Sequence, residues 1–260
     1  MRAYKEEIVK QNSSFLKFYI SPWDTEIFKY KVVNINTIVL DKNEDLKYLL
    51  SELDIFCKNE DVKVIVCKVD SADEMLINSL QNHEYKYIEM SVVPYINPQN
   101  INEKQFKEWC NYPIRRAEGK DLNRLKEIAR VSFKNDRFHK DVNFSNVQAD
   151  ERYSMWVENS FNDGEDIFVI SCENSIAGFF ILKTFSEQKY AEMRLGCIDP
   201  EFQGKKLGLN INAEIVLMLR EQDILLLDSP ISIANLGIFN LYISMGFKFK
   251  EQKVCFHKWL

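Results

Sequence analysis

The chain has 260 residues, 46% of them hydrophobic and 13% aromatic, which can fill one large core or two modest ones and excludes disordered, collagen-like and low-complexity classes. Its 34 basic and 39 acidic residues leave −4 over residues 1–112 and −1 over residues 113–260, so neither half has the basic surplus that binds a phosphodiester backbone, and no nucleic-acid partner is expected. Only eight glycines occur, all between Gly119 and Gly246, so any backbone that presses against a phosphate belongs to the second half.

The opening MRAYKEEIVKQNSS lacks the apolar core of a signal peptide, and the longest apolar runs, 215–219 and 224–227, are too short to span a bilayer. Clustered or alternating apolar residues predict strands at 15–20, 32–38, 62–69 and 85–95. Between them, Leu46, Leu49, Leu50 and Leu53 repeat at helical spacing, and Met75, Leu76 and Leu80 do so more weakly. That alternation of strand and helix predicts α/β packing. The pattern breaks near residues 97–113, where Pro98 and Pro113 flank a short polar helix around Phe106–Trp109. We therefore expect an N-terminal α/β domain over 1–112 and a second domain over 113–260.

In the second half a strand is predicted from Ile114 and a helix after Asp121, followed by a polar loop at 135–146 with aromatic anchors and a helix opening at Asp150. Strands follow at 167–172, 176–185 and 190–198, the first two joined by a hairpin-length turn. A helix over 204–221, a strand over 224–227, a helix over 235–245 and a strand over 247–259 complete the chain. Six cysteines without a CxxC pair indicate neither a disulfide framework nor a metal site, so a reduced, cytoplasmic, soluble protein with no membrane partner is expected.

The most informative stretch runs from Leu195 through Ile198-Asp199-Pro200-Glu201-Phe202-Gln203-Gly204-Lys205-Lys206-Leu207-Gly208. It joins a strand end, a proline turn and a glycine- and lysine-rich helix start, which exposes unpaired N–H groups and the positive end of the helix dipole to an anion. Neither GxxxxGK[ST] nor GxGxxG is present. The same residues also suit an ordinary turn with solvated lysines.

This stretch resembles motif A of the GCN5-related N-acetyltransferases, Q/R-x-x-G-x-G/A after a V-x-P strand end, matched here by Gln203, Lys206, Gly208 and Ile198-Asp199-Pro200. The family's first glycine is Lys206 here, and a left-handed backbone at that position costs a lysine about 1 kcal/mol. Downstream, Asn235-Leu236-Gly237-Ile238-Phe239-Asn240-Leu241-Tyr242-Ile243-Ser244-Met245-Gly246-Phe247 resembles the family's N-x-x-A-x-x-L-Y-x-x-x-G-F, with Ile238 in place of the small residue. Asn235 and Gly246 also read as plain helix caps and Leu241 as core.

The resemblance implies a second domain with a mixed, mostly antiparallel sheet flanked by helices, binding acetyl-CoA as co-substrate through Cys197, Ile198, Gln203, Gly204, Lys205, Lys206, Leu207, Gly208 and Asn235. It further implies direct attack by an amine on the thioester, an oxyanion donor near the end of the 190–198 strand, and Tyr242 as the acid that protonates the departing thiolate. Glu192, Asp199 and His139 are open candidates for the base, each equally readable as a solvated or capping group.

A narrower resemblance concerns the acceptor. Trp23-Asp24-Thr25-Glu26-Ile27-Phe28 and Arg137-Phe138-His139-Lys140-Asp141, with Phe144 beyond, resemble the W-D-S-x-F-F-G and R-F-H-x-D-x-x-F segments of nucleotide-amino-sugar acetyltransferases typified by TDP-fucosamine acetyltransferase. It implies acetyl transfer to a nucleotide-linked 4-amino-4,6-dideoxy sugar recognised by Arg137, Phe138 and His139, with the N-terminal domain supporting the acceptor side and a homodimer possible at family level. The loop reads as readily as a surface segment anchored by Phe138 and Phe144. A protein or small-amine acetyltransferase of the same fold, or a non-catalytic CoA- or sugar-binding module, is the alternative.

Overall fold

The computed structural model describes residues 5–260, which form two compact units that are each discontinuous in sequence. The first takes the chain up to Met90, Lys140–Gln148 and Gln252–Leu260; the second takes Ser91–His139 and Ala149–Glu251.

In the first unit, β1 (Glu7–Gln11) and β2 (Ser14–Ile20) form an antiparallel pair. Ser21 then caps α1 (Pro22–Phe28) by accepting from Asp24 N at 3.2 Å, and Pro22 fills the first turn, where a missing N–H costs nothing. Next come β3 (Lys31–Val39), α2 (Asp45–Asn59), β4 (Val62–Asp70) and α3 (Glu74–Asn82), the last capped by Asp73. β3 lies antiparallel to β2 and parallel to β4. The leucines of α2 pack with Phe18, Val33 and Ile65 in one core.

β5 (Lys86–Ile96) passes from the first unit into the second, where α4 (Glu103–Trp109), β6 (Ile114–Arg116) and α5 (Leu122–Ser132) follow; α6 (Arg137–Lys140) and α7 (Asn146–Asn162) lie in it except for Lys140 and residues 146–148. β7 (Asp166–Cys172), β8 (Ser175–Phe185), β9 (Tyr190–Ile198), α8 (Leu207–Glu221), β10 (Leu226–Asp228), β11 (Ile231–Ser232), α9 (Leu236–Ser244) and β12 (Lys248–Trp259) complete the chain. The sheet of the second unit runs β5-β10-β9-β8-β7-β6, antiparallel except for β9 beside β10, with β11 also on β5. One face is covered by α8 and α9 over Phe180, Leu182 and Met193, the other by α5 and α7 over Val169, Phe179 and Leu195.

The two units share one scheme: an antiparallel pair, a parallel neighbour, and a final antiparallel strand. That final strand comes from the other half of the sequence. In the first unit it is the end of β12, with Lys253 opposite Asp70 and Trp259 opposite Val64; in the second it is the end of β5, with Ile96 opposite Leu227. The division therefore falls inside β5, on either side of Lys140–Gln148 and at Gln252 rather than at residue 112.

The sheets and most helices follow the periodicity. β1, α1 and β11 are additional: β1 is half-exposed and alternates polar residues, and α1 has only seven residues. The helix expected from Asp150 begins at Asn146, and the polar loop contains the single turn α6. Among the described residues no helix is long and apolar enough to cross a membrane.

Candidate active site

The site is built on β9. Along one side β9 pairs with β8 from Gly178 opposite Ile198 to Phe185 opposite Tyr190, but the register breaks: Ile181 faces Leu195 while Leu182 faces Met193. Arg194 is thus an extra residue, a β-bulge that turns Met193 and Leu195 to opposite faces of the sheet. Along the other side β9 pairs with β10 over only three positions, ending at Glu192 opposite Asp228. Beyond Glu192 the strands part and one edge of β9 faces the opening.

Alternation fixes which amides face that opening. Asp199 N donates to Ala177 O at 2.8 Å, so the amide of Cys197, two residues back, also turns toward β8, while those of Gly196 and Ile198 turn to the open edge. Gln203 Nε2 donates to Ile198 O at 3.3 Å from the same side. Burial pushes the Cys197 thiol up to about 12, away from the thiolate form.

From β9 the chain enters a clamped turn. Asp199, 4% exposed, accepts from Glu201 N at 3.0 Å and from the Arg124 guanidinium of α5. A single 3₁₀ turn at Pro200–Phe202 leads to Gly204, at φ +83°, and Lys206, at φ 62° and ψ 14°, directly before α8. Lys206 therefore has the left-handed backbone that is costly to a lysine. No side chain caps the first amides of α8, and a Cβ on Gly204 would meet nothing within 4 Å. A helix N-terminus left uncapped, entered through two left-handed residues with open space beside them, fits a pyrophosphate.

The other residues expected at this turn divide by role. Leu207 is 1% exposed within the core, and Gly208 is held close to α9, where a Cβ would lie 3.4 Å from Leu241 Cδ1. Lys205 pairs with Glu173 and lies 5.3 Å from the centre of the Phe202 ring, while Lys206 and Gln203 are exposed. Asn235 caps α9, its Oδ1 accepting from Ile238 N at 3.3 Å.

Tyr242, on α9, is 1% exposed and packs against Phe247 with ring centres 4.5 Å apart. Its hydroxyl donates to Ser229 Oγ at 2.9 Å, and Ser229 directly follows the last β9–β10 pair. Burial holds the phenol well above its ordinary pKa, with the Ser229 contact opposing in part, so Tyr242 keeps its proton at neutral pH.

Two carboxylates stand side by side where the strands part. Asp228 accepts from the Tyr190 hydroxyl at 2.7 Å and pairs with Lys250 Nζ at 3.0 Å. Burial raises Glu192 above the ordinary carboxylate range; Arg194 opposes this, with its Nε 4.0 Å away, while Asp228 and Glu165 add to it. Of the base candidates, Asp199 is spent on Arg124 and the turn, and His139 lies elsewhere.

His139 binds Asp136 through Nδ1 and Asp150 through Nε2, the latter at 2.9 Å, tying α6 to α7. Burial alone would lower its pKa, but these two carboxylates raise it. Phe138 is 1% exposed beneath the guanidinium groups of Arg137 and Arg152, 4.5 and 4.6 Å from its ring centre. Both side chains therefore hold the loop. In the first unit, Asp141 accepts from Trp259 Nε1 at 2.8 Å and bonds His257 Nδ1 at 2.8 Å, and Phe144 packs on Phe28 and Trp259. Asp24 is 4% exposed at the cap of α1.

Sequence reasoning missed the Arg194 bulge, the Arg124–Asp199 clamp and Ser229. The alternation of Ala191, Met193 and Leu195 looks regular, which hides the bulge, and the other two depend on contacts 75 and 13 residues apart in the chain.

No protein-family model matches the chain. It is 21% identical over 240 residues, 92% of its length and 81% of the relative's, to the spore coat polysaccharide biosynthesis protein SpsD of Bacillus subtilis (strain 168). Its structure superposes on a tandem GNAT protein from the clavulanic acid biosynthesis pathway with a TM-score of 0.68 and 10% identity, covering 99% of this chain and 83% of the other. A GCN5-related N-acetyltransferase from Sphaerobacter thermophilus gives 0.68 and 12%, covering 95% and 76%. The chain has the GCN5-related N-acetyltransferase fold, a mixed α/β sheet flanked by helices.

Proposed function

We propose that this chain is an acetyl-CoA-dependent N-acetyltransferase that acetylates the amine of a nucleotide-linked 4-amino-4,6-dideoxy sugar, with the second unit, Ser91–His139 and Ala149–Glu251, carrying the acetyl donor. The observation that carries the reading is the uncapped start of α8, entered through left-handed Lys206, beside the open edge of β9. There the amides of Leu207 and Gly208, with the Lys206 charge, suit the pyrophosphate, and the edge of β9 suits the pantetheine arm. Bound acetyl-CoA supplies an acyl group already activated as a thioester.

The residues of the fork account for the rest of the reaction. Glu192 takes the proton of the attacking amine; the carbon–nitrogen bond forms as the carbon–sulfur bond breaks, and Tyr242 gives its phenolic proton to the sulfur. Amides of the β9 edge, Ile198 and Gly196, donate to the carbonyl oxygen as negative charge gathers on it. Support for Glu192 comes from its raised pKa beside a carboxylate that Lys250 and Tyr190 already satisfy. Support for a sugar acceptor comes from a relative named for polysaccharide biosynthesis.

The test is thiol release from acetyl-CoA across nucleotide amino sugars, free amino sugars, small amines and peptides. Turnover restricted to nucleotide amino sugars is expected. Turnover of peptides or small amines alone would move the acceptor to the other class, and thermal stabilisation by CoA without release from any acceptor would make the chain a binding module.

A further inference from the structure

The hydroxyl of Tyr242 has a built partner. Its O–H donates to Ser229 Oγ at 2.9 Å, and both residues are buried, at 1% and 6% exposure. Ser229 stands immediately after Asp228, the last residue at which β10 is laddered to β9, so the contact lies where the strands part. Ser229 N donates to Pro94 O at 3.1 Å, which fixes the backbone of Ser229 to β5 and leaves only the side-chain hydroxyl to turn. A phenol has one proton and, as built, gives it to Ser229. For that proton to reach a leaving sulfur, something must hold the phenolic oxygen once its own donor is redirected. A serine hydroxyl both accepts and donates, so it can serve each state in turn.

We infer that Ser229 is a positioning residue for the acid step: its hydroxyl holds the Tyr242 phenol at the fork and rotates to donate back to the phenolic oxygen as that oxygen loses its proton. The inference rests on the reading of Tyr242 as the acid. The proton leaves Tyr242 for the sulfur, the phenolate keeps the electron pair of its O–H bond, and Ser229 keeps its own proton while changing from acceptor to donor. Without that donor, a phenolate would form in a site that excludes water, where an unpartnered charge is costly.

The experiment uses the full chain with acetyl-CoA and a nucleoside-diphosphate 4-amino-4,6-dideoxy sugar, comparing Ser229→Ala, Ser229→Thr and Tyr242→Phe, with a thermal melt of each variant. Ser229→Ala is expected to lower kcat about tenfold while the KM for acetyl-CoA stays within about twofold, and Ser229→Thr, which keeps the hydroxyl, to recover most of the loss. In the Tyr242→Phe background the same Ser229→Ala change is expected to cost nothing further. Ser229→Cys, similar in shape with a weaker donor, carries the same comparison if the alanine variant fails to fold, with an intermediate kcat expected. An unchanged kcat in Ser229→Ala, or an equal loss in both backgrounds, overturns the inference and leaves the acid reading standing. Wild-type turnover by Tyr242→Phe overturns the acid reading itself, and this inference with it.

Discussion

Lys206 adopts a backbone in which glycine is at ease and lysine is not, at φ 62°. Its retention there makes sense if the charge repays the conformation, because an ammonium at the mouth of the α8 N-terminus adds to the field that draws an anion. Two substitutions separate the contributions. Lys206→Gly and Lys206→Ala both delete the charge, yet only alanine keeps the strain, so the glycine variant should be the more stable by about 1 kcal/mol in denaturant melts. Both should raise the KM for acetyl-CoA by a similar factor, about two- to fivefold for one exposed charge. A glycine variant no more stable than the alanine one would remove the strain. Glu192 is the second residue whose local conditions conflict with its charge. Its pKa is raised above the ordinary 4.5, chiefly by burial, so the folded state favours the protonated form, and any stability gained from that is present at low pH and lost as pH rises through the folded pKa. Glu192→Gln should therefore leave the melting temperature at pH 7 unchanged or higher, while lowering kcat/KM about a hundredfold or more and abolishing the acidic limb of its pH profile. A glutamine variant with that limb intact would assign the base elsewhere.

Elements meet at the turn between β9 and α8, and their geometry depends on one carboxylate. Asp199 closes the 3₁₀ turn by capping Glu201 N, takes the Arg124 guanidinium of α5, and continues the β8 ladder through its own amide to Ala177. Asp199→Ala should cost about 1–2 kcal/mol of stability, mostly the lost cap and charge-assisted bond. Because the same turn sets Gly204 and Lys206, the KM for acetyl-CoA should rise while the acceptor KM does not; equal rises in both would mean general loosening. The strands themselves were legible in this half of the sequence, since β7 and β8 carry apolar runs and β9 an alternating pattern, all bounded by turn residues, and the glycine–lysine turn revealed itself by composition. The bulge was not legible, because Met193 and Leu195 alternate correctly on paper and only the partner strand shows that Arg194 is surplus. Nor could residue types alone tell that Phe138 and His139 are buried anchors: stacking beneath Arg152 and bridging to Asp150 depend on the next helix.

At the scale of the whole chain, the exchange of final strands decides what can be cut. Residues 91–112 join the end of a predicted strand to a stretch that reads as a break in the pattern, with three asparagines and Pro98 before a short polar helix. They instead supply the second unit with the end of β5, paired to β10 at Tyr95 and Ile96, and with Phe106 of α4, 2% exposed in the same core as Ile215 and Leu219 of α8. A fragment of 113–260 loses that strand and that phenylalanine, and keeps residues 252–260, whose ladder partner β4 it no longer contains. Removing Phe106 alone from its core removes about 3–5 kcal/mol, a large share of the stability of a typical domain, before the unpaired β10 is considered. The 113–260 fragment should therefore unfold without a cooperative transition and bind a dye for exposed apolar surface. A fragment of 91–251, which contains every segment of the second unit, should melt cooperatively and be stabilised by CoA. Circular dichroism melts of the two fragments with and without CoA make the comparison, and a cooperative, CoA-stabilised transition in 113–260 would show that β5 and α4 are dispensable to the half that carries the α8 cradle.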